Sequence, residues 1–336
     1  MLLSLAAILG AAVLFTNAIE MLGERLNLGQ GAVGSVLAAV GTALPETMIP
    51  VVALIGAALA GGQASGAAGE IGIGAILGAP FLLATLAMFV VGASILGFKR
   101  RRSNGTELTI DKGVARRDIV FFFVFFAIAT GAGMVALPAY VKVVIAIVLI
   151  GAYAFYVWRT IAAGGEGMGE TPYDLTLWPE SSWGRAPTWA VVAQVLGALA
   201  VMALGAHFFV NAVEHLSSSL GISAGLISLV LAPLATELPE KFNSIIWLRV
   251  DKDTLAFSNI SGAMVFQSTV PVSLGLLFTP WQLSFINAFS VILALISGVF
   301  LYVMLRGKRP VWAPSLLGGG LLYLMFLAVA IYQLAL

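Results

Sequence analysis

Uncharged apolar runs long enough to cross a lipid bilayer recur along nearly the whole chain. No side chain is charged between Ile71 and Gly97, nor between Leu283 and Leu305. A helix needs about 20 such residues to cover the hydrocarbon core. The runs are continuous rather than alternating, which selects spanning helices over a β-barrel. Of the 336 residues, 60% are hydrophobic and only 10% charged, where soluble domains carry roughly 25% charged residues. The spacing predicts ten spans, near 2–22, 32–60, 71–97, 119–134, 137–158, 188–212, 222–248, 254–277, 283–305 and 313–335. The first lacks a basic leader and reads as a retained span rather than a cleaved signal.

Charge placement supports that count. Fifteen of the 17 Lys and Arg residues fall in the junctions after spans 1, 3, 5, 7 and 9. Basic junctions stay cytoplasmic, so both termini are expected outside, in the plasma (inner) membrane. Trp158, Trp189, Trp247, Trp281 and Trp312 sit at predicted span ends as interfacial anchors. Segments 99–118 and 160–186 read as solvated connectors. The 16 acidic residues nearly balance the basic ones, which leaves no surplus for nucleic acid. With no cysteine, disulfides, thiolate metal sites and thiol catalysis are excluded.

The chain also repeats itself. Residues 15–46 align without a gap on 209–240, and 14 of the 32 positions are identical. The identities include Asn17/Asn211, Glu20/Glu214, Thr42/Thr236, Pro45/Pro239 and Glu46/Glu240, which shared hydrophobicity alone would not pair in order. The copies begin five spans apart. Five is odd, so the second copy must cross the bilayer in the opposite sense. The expected fold is therefore an all-α membrane protein of ten helices in two inverted five-helix halves, 1–159 and 187–336, joined by a cytoplasmic linker at 160–186. Inverted repeats of this kind characterise secondary transporters, with the substrate site near the midplane.

Each copy carries a mid-span glutamate directly after a proline, in Gly41-Thr42-Ala43-Leu44-Pro45-Glu46 and Ala235-Thr236-Glu237-Leu238-Pro239-Glu240. Proline frees backbone carbonyls in the preceding turn. Free carbonyls at membrane depth must face protein, water or an ion, and a mid-span carboxylate is costly unless it has work to do. Two carboxylates with carbonyls and threonine hydroxyls suit a hard cation such as Ca²⁺. The hydroxyls of Thr42 and Thr236 could equally back-bond to the preceding turn. Glu237 and Lys241, four apart, read either as an internal ion pair or as a third ligand and a charge that compensates for an absent cation. Asn259, Ser261, Gln267 and Ser268 on the eighth span offer neutral oxygens, and Asn243 offers one or an interhelical tie. Glu20 and Glu214 read as entrance residues or interfacial structure, and His207 and His215 as packing or interface residues.

The two motifs resemble the signature repeats of the sodium/calcium exchangers, the cation/Ca²⁺ antiporter superfamily. The resemblance covers both halves. It implies that Glu46, Glu240, Thr42 and Thr236 form the metal site, with Glu237, Gln267 and Asn259 as further candidates. It implies Ca²⁺ exchanged for Na⁺ or H⁺ as transported ions, no organic cofactor, and the bilayer as partner. The sequence departs from that family in the second part of each repeat. Positions that carry a hydroxyl or a final Asn/Asp there are Ala79, Leu83 and Ala263 here, and Gln267 takes the last of them. The site is therefore expected to lean toward spans 7 and 8, with fewer oxygens for extra Na⁺. Two rivals stay open: a uniporter, channel or transporter of another solute on the same scaffold, and an intramembrane enzyme. No H-E-x-x-H or cysteine nucleophile supports the enzyme.

Overall fold

The structure is a computed structural model that describes residues 1–25, 46–55, 66–162, 175–178, 186–307 and 310–335. The helices are α1 (Leu2–Arg25), α2 (Glu46–Ile55), α3 (Gly66–Phe98), α4 (Lys112–Met134), α5 (Ala139–Ala162), α6 (Thr188–Leu220) and α7 (Ala224–Arg249). There follow α8 (Asp253–Gln267), α9 (Val270–Phe278), α10 (Phe285–Arg306), α11 (Ala313–Leu316) and α12 (Gly318–Ala335). Among the described residues, eight helical segments are long and apolar enough to cross a membrane. Two shorter apolar helices, Glu46–Ile55 and Ala224–Leu234, lie where the second and seventh spans were expected. The 26-residue helix α7 is long enough to span, but Glu237, Glu240 and Lys241 interrupt its apolar character. The protein is an integral, multi-pass, all-helical membrane protein.

The chain ends of the helices sort as the alternation of spans requires. At one end, the junctions after α3, α7 and α10 meet. Two-residue strands β1 (Glu107–Leu108) and β2 (Val311–Trp312) pair antiparallel there, and Lys112 reaches the Gly307 carbonyl at 2.5 Å. This is the end that gathers the Lys/Arg-rich junctions. At the opposite end, the Leu283 amide donates to the Gly133 carbonyl at 3.2 Å and Lys142 donates to the Pro280 carbonyl.

Two packing units follow from side-chain size. Helix α3 is buried on nearly every side from Ile71 to Thr85, as expected of a helix apolar all round. It lies against α7 with almost no space between backbones. A Cβ at Gly74 would collide with the Gly225 carbonyl, and one at Gly78 with that of Leu229. This Gly-x-x-x-Gly spacing lets two helices touch where lipid offers no hydrophobic drive. The stretch Gly74–Leu83, where the family motif led one to look for oxygens, is thus a packing surface. Helices α1 and α6 form the second unit, cross-tied at the basic end by Arg25, which donates to Thr188 Oγ1 at 3.0 Å and to the Ala186 carbonyl.

Several expectations need correction. Segment 99–118 is a solvated connector over much of its length, but Arg102, Leu108, Ala115 and Asp118 are buried. Helix α4 starts at Lys112, where Asp111 Oδ1 accepts from the amides of Gly113 and Val114 at 2.7 and 3.1 Å, a standard N-cap. Arg102 is buried and pairs end-on with Asp253, through both terminal nitrogens, at 2.8 and 2.7 Å. In the linker, Leu175–Trp178 is docked rather than solvated. The Thr176 amide donates to Asn17 Oδ1 at 2.8 Å and the Leu177 amide to Gln194 Oε1 at 3.1 Å. Trp281 is no interfacial anchor: it is 1% exposed, packs over Gly275, and donates from Nε1 to the Ala129 carbonyl at 2.8 Å. The eighth span is broken at Ser268-Thr269. Pro271 supplies no amide to continue the ladder, and the hydroxyls of Ser268 and Thr269 turn back to the Val265 carbonyl at 3.0 and 2.7 Å.

Candidate functional site

Helix α7 brings the second motif to the bundle interior. Ser223 caps its first turn by accepting from the Leu226 amide at 3.1 Å, and Ser228 pins it to α3 through the Ile71 carbonyl at 2.8 Å. Two turns beyond the contact of Leu229 with Gly78, Thr236 and Glu237 are both buried. Glu237 Oε1 accepts from Gln267 Nε2 at 3.5 Å, a long contact between two buried side chains. Gln267 is the last residue of α8, at the break before α9. A broken helix at membrane depth is tolerated only inside protein or beside a cavity, and transporters use such breaks to present backbone and side-chain oxygens to ions.

The other expected residues fall as follows. Glu46 opens α2 and is buried, at 6% exposure, with Thr47 buried beside it. Thr42 lies outside the described residues, and the side chains of Glu240, Lys241 and Asn243 lie outside them too. Thr236 donates from Oγ1 to the Ala232 carbonyl at 2.9 Å, so its proton goes to the preceding turn while its oxygen lone pairs stay available. Asn259 does not join Gln267. It sits eight residues earlier on α8, about 12 Å along the axis, and donates to Ser244 Oγ at 3.1 Å. That bond makes it a tie between α7 and α8. Ser261 is likewise engaged elsewhere, donating to Asp118 Oδ2 at 2.7 Å. His207 contacts Asn211 at 3.2 Å on the exposed face of α6, away from the buried carboxylates.

Sequence reasoning missed two features. The break at Ser268-Thr269 was signalled by the Thr-Val-Pro run that follows Gln267. Asp118 was assigned to a loop, yet it is a buried carboxylate on α4 with partners on α5 and α8. Its signal was a lone Asp at the head of a strongly apolar run.

Among the described residues no group of three or more His, Cys, Asp or Glu gathers that could hold a metal ion; what is present is the Glu237 carboxylate in contact with the Gln267 amide, and a second buried carboxylate, Glu46, on α2. Such donors suit hard cations or protons and offer nothing to soft metals.

The sodium/calcium exchanger protein family matches this chain over residues 1–162 and 190–335. A putative antiporter, CaxA, of Alkalimonas amylolytica is 29% identical over 94 residues, which is 28% of this chain and 30% of that protein's length. Among solved structures, the crystal structure of the H⁺/Ca²⁺ exchanger CAX superposes with a TM-score of 0.75 at 19% identity, covering 99% of this chain and 83% of that one. The sodium-calcium exchanger NCX_Mj, soaked with Na⁺ and Sr²⁺, gives a TM-score of 0.57 at 19% identity, covering 97% and 96%. With most of its length matched in both halves, the chain belongs to the sodium/calcium exchanger family.

Proposed function

We propose that the chain is a secondary active antiporter that moves Ca²⁺ against H⁺ or Na⁺ by alternating access. The observation that carries this reading is the buried Glu237–Gln267 contact at the broken end of α8. Membership of the family and the likeness of the fold to two exchangers stand behind it. In this reading Glu46 and Glu240 bind the cation while ionised, and Glu237 and Gln267 add oxygens from one side. Thr42, Thr236 and the carbonyls freed by Pro45 and Pro239 complete the shell. Protons or Na⁺ on the same carboxylates neutralise the site for the return step. The two halves, 1–159 and 187–336, form the inverted repeat, the ten spans place both termini outside, and the basic end faces the cytoplasm. Helices α1 and α6, tied together through Arg25 and through the Asn17–Gln194 contact at 3.0 Å, move as one gate across the remaining helices.

Reconstituted protein in sealed vesicles tests this directly. Labelled Ca²⁺ uptake should require an opposing pH or Na⁺ gradient, and Glu46→Gln and Glu240→Gln should each abolish it while leaving the protein folded. Uptake with no opposing gradient would instead favour the uniporter or channel reading. Absence of Ca²⁺ movement under every gradient would defeat the proposal.

A further inference from the structure

Asp118 is the second feature that the proposed transport cycle leaves unused. It is 1% exposed, seven residues into α4, and its carboxylate is the meeting point of three helices. Oδ2 accepts from Ser261 of α8 at 2.7 Å. Oδ1 accepts from the Tyr156 hydroxyl of α5 at 3.1 Å and from the adjacent Arg117 guanidinium at 3.2 and 3.3 Å. Arg117 in turn lies over the Tyr156 ring, 5.1 Å from its centroid. Arg117 and Tyr156 also line an open cleft of about 450 Å³, together with Asp111, Phe121, Phe155 and Arg159. A buried carboxylate therefore stands one side chain away from a cleft at the basic end that carries both aromatic and charged side chains.

Hydrogen bonds hold helix α8 along its length at Asp253 by Arg102, at Thr254 by the Asp111 amide, at Asn259 by Ser244 and at Ser261 by Asp118. Ser261 is the one nearest Gln267, six residues or about 9 Å away along the axis. We propose that Asp118, while ionised, is a positioning residue for transport: it holds Ser261 and so keeps the Gln267 end of α8 against Glu237. The inference rests on the reading of Glu237 and Gln267 as part of the cation site. An ionised carboxylate accepts all of these bonds. A protonated one carries a donor of its own and has less capacity to accept, so acid weakens the hold on α8. Charge-assisted bonds of this kind are about twice as strong as neutral ones, which makes the contact responsive to protonation. The titratable and charged groups that face Asp118 are Arg117 on its own helix and Tyr156 on α5, with Asp111 and Arg159 across the cleft. Helix α8 presents only the Ser261 hydroxyl. On α10, which packs against α4, Tyr302 and Arg306 pair with each other at 6.0 Å.

The test uses the full-length protein in vesicles, with Ca²⁺ uptake measured against Ca²⁺ concentration at several pH values. Ser261→Ala and Asp118→Asn should each raise the KM for Ca²⁺ about three- to tenfold, the scale of a partly transmitted charge-assisted bond, with the maximal rate little changed. Their double variant should be no worse than either alone. The rise of KM toward acid expected of the wild type should shrink in Asp118→Asn to the part that proton competition at the site carboxylates produces. A KM within twofold of wild type in Ser261→Ala, or an unchanged acid response in Asp118→Asn, would overturn the proposal. Backbone hydrogen exchange over 264–269, without added cation and corrected for intrinsic rates, separates this from the function itself. Exchange should speed up on acidification in the wild type and be fast at every pH in Asp118→Asn. That pattern without any Ca²⁺ uptake would sink the antiporter reading and keep the pin, whereas pH-independent exchange sinks the pin whatever ion is carried.

Discussion

Removing Arg102 or Asp253 alone should destabilise the protein far more than a loop position would suggest. Arg102 donates through both terminal nitrogens to Asp253, at 2.8 and 2.7 Å, and also to the carbonyls of Leu248, Glu107 and Gly105. Asp253 accepts one further bond, from the Thr109 amide at 2.9 Å. Both side chains are buried, at 0% and 1% exposure. Arg102→Met leaves a buried carboxylate with a single backbone donor. Asp253→Leu leaves a buried guanidinium whose nearest remaining carboxylate, Asp251, is 3.8 Å away and partly exposed. Breaking a buried pair from one side costs about 3–5 kcal/mol, whereas replacing both partners by apolar groups is often near neutral. Here the double replacement also strips donors from three carbonyls, so it should recover only part of the loss, roughly half. At about 1–2 °C per kcal/mol for a chain of this length, each single variant should lower the unfolding midpoint in detergent by about 3–10 °C. A single Arg102→Met variant that melts with the wild type, or a double variant that loses the full sum of the singles, would refute the reasoning.

Gly78→Val should prevent close packing of α3 on α7, because its Cβ alone would already collide with the Leu229 carbonyl. The expected cost is at least 1–3 kcal/mol, read as lowered folded yield and midpoint, and wild-type stability would contradict the close approach. The backbone amide of Ser103, donating at 3.0 Å, holds the Asp251 carboxyl below its usual range, with Arg102 adding a smaller pull. A depressed carboxyl stabilises the fold above the ordinary carboxylate range, and the contribution is lost as pH falls through the folded value. Asp251→Asn should therefore flatten the acid limb of the stability profile, and an unchanged limb would show that the Ser103 contact contributes nothing.

Much of the architecture was legible because the bilayer imposes length and charge rules on each segment separately. Of the basic junctions that were expected to share one side, those after the third and ninth spans meet, through β1–β2 and through Lys112 and Gly307. The connectors were misread because composition cannot tell a solvated arginine from one that is buried and paired. Arg102 stands in a run of four basic residues, and nothing in that run marks it as the one that finds Asp253, 151 positions away. Trp281 was misplaced for the same reason: a Trp near a span end suits an interface, and only Gly275 and the Ala129 carbonyl draw it inside.

The chain by itself determined that it lives in a membrane, where its charges must lie, and that one segment with Thr, Pro and Glu occurs twice. Those properties are local, set by transfer free energies and by residue order along a single helix. Only the tertiary structure decided that Glu237 meets Gln267, that Asn259 ties two helices instead, and that Asp118 joins α4, α5 and α8. Such pairings depend on rotation and depth of one helix against another, which follow from small-residue contacts such as Gly74 and Gly78 on α7 and not from the hydropathy of either helix.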